Sequence, residues 1–170
     1  MSPLEIQNFR DLYGGKTSKQ EHLEIMGKIG EYDVCRVHYN PRLLNKRKSQ
    51  YLLYDNKGHE VAGYVTLEPE AIENYPNALQ VTSVYIGKEY QKQNLATSLY
   101  YWLLGHVTNA LVSGDEQTEA AKKLWIRFHN DPRVVLKHFD THSEKWVPIE
   151  NFEDAYKDGV ILLTRTGENT

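Results

Sequence analysis

The stretch VYIGKEYQKQNLATSLYYWLL, beginning at Val84, constrains the fold more than any other in the chain. Ahead of Gly87, ALQVTSVYIG is rich in β-branched residues, which predicts a strand over Leu79–Ile86. Beyond the polar break, Ala96, Leu99, Tyr100, Leu103, Leu104 and Val107 recur at i, i+3, i+4, i+7, i+8 and i+11, the period of an amphipathic helix. A strand that turns at once into such a helix needs a sheet with a helix packed on its face.

The remaining patterns fill in that layer. Ser2, Pro3 and Glu5 read as N-cap, first helical residue and capping-box partner. Ser18 and Glu21 repeat the spacing ahead of Leu23, Ile25, Met26 and Ile29, so two short helices are expected within residues 1–31. YDVCRVHY alternates as a strand. Tyr51–Tyr54 and Val61–Leu67 predict a hairpin closed by Asp55, Asn56, Lys57 and Gly58, residue types that tolerate the positive φ of a tight turn. After the short apolar ALVSG, the face formed by Ala120, Ala121, Leu124, Trp125 and Phe128 predicts a second amphipathic helix. RVVLKHF and GVILLTR read as strands separated by a polar loop through Pro148, and 166–170 as a frayed tail. The fold class expected is α/β (α+β), a central mixed and mostly antiparallel sheet flanked by helices, with an N-terminal helical extension. Its 170 residues suit one domain, 1–170, with a core of about 49–165.

Charge and cysteine content narrow the function classes. Lys plus Arg number 20 against 23 Asp plus Glu, a net charge of -3, so no nonspecific nucleic-acid or membrane binding is expected. One cysteine, Cys35, excludes an intramolecular disulfide framework and fits a reducing, cytoplasmic setting. The N-terminus has no basic-then-apolar leader pattern, and no apolar run approaches the ~20 residues that span a bilayer.

The polar break sits where a helix offers unpaired N–H groups and the positive end of its dipole, an arrangement that favours an anion. The same segment resembles the acetyl-CoA-binding segment of the GCN5-related N-acetyltransferase (GNAT) superfamily, whose signature is Arg or Gln, two residues, Gly, one residue, then Gly or Ala. Gln91, Asn94 and Ala96 take those places, with Tyr90 before and Leu99 after them in family-like positions. The upstream hairpin and the downstream TEAAKKLWIRF follow the family's order, so the resemblance covers about residues 49–130. It implies acetyl-CoA as co-substrate. Backbone N–H groups of Lys92, Gln93, Asn94, Leu95 and Ala96 would meet the pyrophosphate, Thr97 would add a hydroxyl, and Val84 and Ile86 would pair with the pantetheine arm. Asn94 departs from the usual Gly, but Asn is the non-Gly residue that best tolerates left-handed backbone. The competing reading makes Asn94 a plain helix cap and Gln91 and Lys92 solvated loop residues.

Acetyl transfer to an amine needs a proton acceptor and a donor for the developing charge. The resemblance places the base slot at Gln80, beside Thr82 and Ser83, and the thiolate's acid slot at Trp125; neither side chain does that proton chemistry. Core packing with Ala121 and Phe128 is the competing reading of Trp125. Ser113, Asp115 and Glu116 in SGDEQ are the replacement candidates, and Ser113 with Glu116 equally has capping-box spacing.

Other motifs carry less. GGKTS lacks the upstream glycine of a phosphate-binding P-loop, because position 10 is Arg10. His138 and His142 have metal-ligand spacing only if helical, and they follow a β-like run. Arg42, Lys46, Arg47 and Lys48 read as a solvated basic loop, and Cys35 as a buried spectator. Two functions are therefore expected as alternatives: an acyltransferase moving acetyl from acetyl-CoA to an amine of a protein or small molecule, or a catalytically degenerate protein of the same fold that engages a macromolecular partner. The degenerate motif with SGDEQT and KKLW also looks similar to phage-encoded members of the superfamily.

Overall fold

The computed structural model describes residues 23–38, 47–114, 119–158 and 160–167. Its elements run β1 (Leu23–Ile29), β2 (Tyr32–Val37), β3 (Ser49–Asp55), β4 (Glu60–Pro69), β5 (Leu79–Ile86), a 3-10 turn (Lys88–Gln93) and α1 (Leu95–His106). There follow β6 (Leu111–Val112), α2 (Glu119–His129), β7 (Val134–Asp140), β8 (Lys145–Pro148), α3 (Phe152–Asp158) and β9 (Leu162–Arg165). The hydrogen-bonded strand order is β1-β2-β3-β4-β5-β6-β9-β7-β8. β1 with β2, β2 with β3, β3 with β4, β6 with β9, β7 with β8 and β7 with β9 pair antiparallel, and β5 with β6 parallel. This is the mixed, mostly antiparallel sheet with flanking helices that the sequence predicts.

The described chain forms two compact units. One comprises the described residues up to Glu68 with Ser83–Leu99; the other comprises Pro69–Thr82 with the described residues from Tyr100 on. In the first, β3 and β4 are buried on both faces, which is why QYLLY and VAGYVTL are nearly continuous apolar runs. Leu23, Cys35, Leu52, Tyr54, Val61 and Tyr64 form one apolar cluster there. Gly63 lets β4 lie against the end of β5: a Cβ on it would sit 2.6 Å from the Tyr85 carbonyl oxygen and 2.6 Å from Ile86 Cδ1. Because backbone cannot swing aside as a side chain can, Gly63→Ala is expected to lower stability by about 1–3 kcal/mol, measured by urea denaturation.

The expected helix ending near Ile29 is instead strand β1 over Leu23–Ile29, so the helical extension is corrected for these residues. Ladder register jumps between Ile25 and Gly27, and the extra residue, Met26, hides the two-residue alternation of a strand. Gly30, at φ 56, then closes a tight turn into β2, whose Tyr32 pairs with Ile29. The other expected N-terminal helix lies outside the described residues, as does 168–170 of the tail. In the β3–β4 hairpin the positive φ falls on His59 (φ 55), not on the four residues expected to supply it. Gly58 matters there for space, since a Cβ would come 2.6 Å from Asp55 Oδ2.

In the second unit, Tyr75, Ala78, Ala110, Val112 and Leu162 make an apolar cluster. Trp125 is 2% exposed and meets Tyr100 (6.1 Å, 71°) and Phe128 (5.9 Å, 72°) edge to face. The polar loop expected around Pro148 contains β8, paired antiparallel with β7, and the short α3. His138 lies on β7 and His142 in the turn after it, so their spacing does not bring them to one helical face. Among the described residues no helix is long and apolar enough to cross a membrane.

Candidate functional site

The loop is built from its turn outward. β5 ends at Ile86, Gly87 donates its N–H to the Ala62 carbonyl at 2.7 Å, and the 3-10 turn carries the chain to Asn94. Asn94 adopts φ 55, ψ 33, the left-handed conformation that a Gly ordinarily supplies. That single residue stops the 3-10 turn and redirects the chain into α1. The Asn94 carbonyl accepts the first helical bond, from the Ser98 N–H at 3.1 Å. The N–H groups of Leu95, Ala96 and Thr97 precede that bond and belong to the first turn of the helix, which leaves its donors without intrahelical acceptors. Gln91, Lys92, Gln93 and Asn94 are exposed, Ala96 and Thr97 half-buried, and Leu95 buried as the anchor.

Three tethers hold this loop. Gln91 Nε2 donates back to the Ile86 carbonyl at 3.2 Å. Tyr32 on β2 donates its hydroxyl to Gln93 Oε1 at 2.5 Å. The buried Tyr90 places its hydroxyl between two carboxylates of the β3–β4 hairpin, 2.8 Å from Asp55 Oδ2 and 2.6 Å from Glu60 Oε1. Burial, and then those two acceptors, push the Tyr90 hydroxyl far above its ordinary pKa, so it stays a donor. Burial tends to raise Asp55, but hydrogen bonds from Tyr90 and from the Gly58 and Lys57 N–H groups outweigh it and hold the carboxyl below its ordinary value.

A depressed folded-state pKa contributes stability that is present above the unfolded value of about 3.9 and is lost as pH falls through the folded one. The difference in melting temperature between wild type and Asp55→Asn is therefore expected to be largest near neutral pH and to shrink below about pH 4.

All the residues expected to bind the cofactor, Val84, Ile86 and Gln91 to Thr97, fall in the first unit. Val84 and Ile86 are half-buried on the final residues of β5. The β5–β6 ladder consists of Leu79 with Leu111 and Gln80 with Val112, so β5 runs on well past its pairing with β6. Of the chemical candidates, Gln80 and Ser113 lie in the second unit. Gln80 Nε2 donates to the Ser113 carbonyl at 3.3 Å. Ser113 is 1% exposed, and its Oγ accepts the Ile161 N–H at 2.9 Å while its own N–H donates to the Ile161 carbonyl at 2.9 Å. Ser113 thus extends the β6–β9 ladder by one residue. It is not a helix N-cap, since Gly114 after it is not helical. Asp115 and Glu116 lie outside the described residues, as do Arg42 and Lys46. Cys35 is fully buried in the apolar cluster of the first unit.

Tyr90, Asp55, Glu60 and Tyr32 are the residues that sequence reasoning did not assign. The Asp55-to-Glu60 hairpin was legible, but nothing in its spacing says that Tyr90 reaches it.

No known family's sequence pattern matches the chain, and no curated protein aligns with it. Solved structures overlap it in part. A putative acetyltransferase of the GNAT family from Bacteroides thetaiotaomicron is 12% identical, covers 76% of this chain and 66% of its own, and has a TM-score of 0.43. The GNAT family N-acetyltransferase YhbS from Escherichia coli, in complex with CoA, is 20% identical over 69% of this chain and 58% of its own, with a TM-score of 0.42. A KacTA–DNA complex is 19% identical over 68% of this chain and 76% of its own, with a TM-score of 0.44. At these identities and scores the likeness is a partial one of fold. The two named sources are bacterial and give no support to the phage-encoded resemblance. Net charge describes the whole chain and not one face of it, so the expectation that nucleic acid is excluded does not follow from it.

Proposed function

We propose that the chain binds an acyl-CoA, acetyl-CoA in particular, at Gln91–Thr97 and transfers the acyl group to an amine. The observation that supports this most is Asn94 at φ 55: it lets the chain leave β5, turn, and start α1 with the N–H groups of Leu95, Ala96 and Thr97 gathered at the helix's positive end. A pyrophosphate fits such a group of donors, and Lys92 and the Thr97 hydroxyl belong to the same short segment. Val84 and Ile86 would meet the pantetheine arm along β5. When bound, the thioester would supply the electrophile. As the C–N bond forms and the thioester C–S bond breaks, the proton of the amine would pass to water or to Asp115 and CoA would leave as the thiolate.

A second reading is favoured by a specific observation. The Gln80 amide and the Ser113 hydroxyl already serve the sheet, and Trp125 is buried among aromatic rings. On that reading the fold keeps a binding role toward a macromolecular partner and no chemistry.

Thermal melting with acetyl-CoA separates the first reading from no cofactor at all. Ligand at 100 times its dissociation constant is expected to add about 2.7 kcal/mol of stability. No shift at millimolar cofactor would reject the proposal. A shift without any transfer of labelled acetyl to lysate proteins or small amines would favour the binding role.

A further inference from the structure

We infer that Tyr90 is a positioning residue for the anion-binding loop, acting through the β3–β4 hairpin; the inference rests on the cofactor reading above. Tyr90 sits in the middle of the 3-10 turn, yet its hydroxyl is held outside that turn by Asp55 and Glu60. One O–H has one proton to give, so it is shared between the carboxylates and draws together two groups that otherwise repel. Its ring meets Tyr32 edge to face at 6.0 Å and 82°, and Tyr32 in turn holds Gln93. The tyrosine pair therefore fixes two points of the turn, at Tyr90 and Gln93, directly before the left-handed Asn94. Gly58 keeps this anchor close, since a Cβ on it would also come 3.3 Å from the Tyr90 hydroxyl.

Charge alone argues the other way. Asp55 and Glu60 are negative groups tied to the same turn that is read as receiving an anion, and by Coulomb interaction their presence opposes that anion. The sign of a mutation's effect thus distinguishes positioning from through-space electrostatics. Glu60→Ala removes a negative charge and one acceptor of the Tyr90 hydroxyl together. Electrostatics predicts tighter CoA binding, whereas an anchor predicts weaker binding.

The experiment is calorimetric titration of wild type, Tyr90→Phe, Tyr32→Phe and Glu60→Ala with CoA, and with pantetheine, which lacks the phosphates. Tyr90→Phe keeps the ring and the charge and removes only the hydroxyl. It is expected to weaken CoA about tenfold and to leave pantetheine affinity unchanged, with Tyr32→Phe and Glu60→Ala weakening CoA roughly threefold. A general loss of structure would lower both affinities together, and Tyr32→Phe keeps the test open if Tyr90→Phe does not fold. CoA affinity unchanged in Tyr90→Phe and Tyr32→Phe, or strengthened in Glu60→Ala, overturns the anchor while leaving the cofactor reading intact. Wild type that fails to bind CoA overturns both.

Discussion

Trp125→Ala is expected to lower stability by about 3–5 kcal/mol, the largest effect among the substitutions considered. The indole is 2% exposed and packed edge to face on Tyr100 and Phe128, which themselves stack at 5.4 Å. Removing it opens a cavity between α1 and α2, where rigid rings cannot collapse to fill it. Urea denaturation should show the midpoint falling with little change in slope. Trp125→Phe should recover most of the loss. Were Trp125 instead a group acting on the reacting thioester, its replacement would change turnover far more than stability. The buried aromatic packing predicts the reverse.

The second large effect concerns Asn94. A β-branched residue cannot sit at φ 55 without strain, so Asn94→Val is expected to cost about 1–2 kcal/mol in stability. The same change should weaken CoA binding roughly tenfold to a hundredfold, because the loop then delivers Leu95, Ala96 and Thr97 in a different orientation. Asn94→Gly is expected to hold or raise the melting temperature and to bind CoA at least as well, since Gly takes the left-handed conformation freely and brings no side chain toward the ligand. Equal binding by the valine and glycine variants would show that the conformation at this residue is irrelevant to the ligand.

The parts of the fold written into local pattern were legible. The β5 boundaries Leu79–Ile86 follow from its β-branched residues and the stop at Gly87, and the 3.6-residue period finds α1 and α2 as helices, although Leu95 and Trp102 are buried beside the face expected of α1, Val107 lies beyond its end and Ala120 of α2 is exposed. Asn94 was legible for a related reason, because the residue type itself reports the backbone conformation it favours. β1 was not. Its bulge at Met26 removes alternation, Ile25 and Met26 remain exposed on an edge strand, and the residual spacing of Leu23, Met26 and Ile29 imitates a helix. The signal that could have found it was Gly30, a turn residue before a strand at turn-like distance. β8 and α3 were missed because both are short and depend on partners elsewhere, β8 on its ladder with β7 and α3 on buried Phe152, whose ring lies beside His129.

The site divides in the same way. The order strand, loop, helix is local, so the cradle could be read from one segment. The roles of Gln80 and Ser113 depend on a neighbouring strand: Gln80 reaches the carbonyl of Ser113, and Ser113 reaches Ile161. Tyr90's partners are likewise set by tertiary contact, a long way back along the chain at Asp55 and Glu60. Spacing in sequence carries no trace of such contacts, which is why the anchor of the loop emerges only from the folded chain.

The most direct measurement is a titration of isotope-labelled protein with CoA, followed residue by residue through the backbone amide resonances. The largest shifts are expected at Leu95, Ala96 and Thr97, with smaller ones at Gln91–Asn94 and along Val84–Ile86. Saturating CoA that leaves those amides unmoved, or that shifts a separate set of residues, would contradict the reading of this loop as the cofactor's cradle.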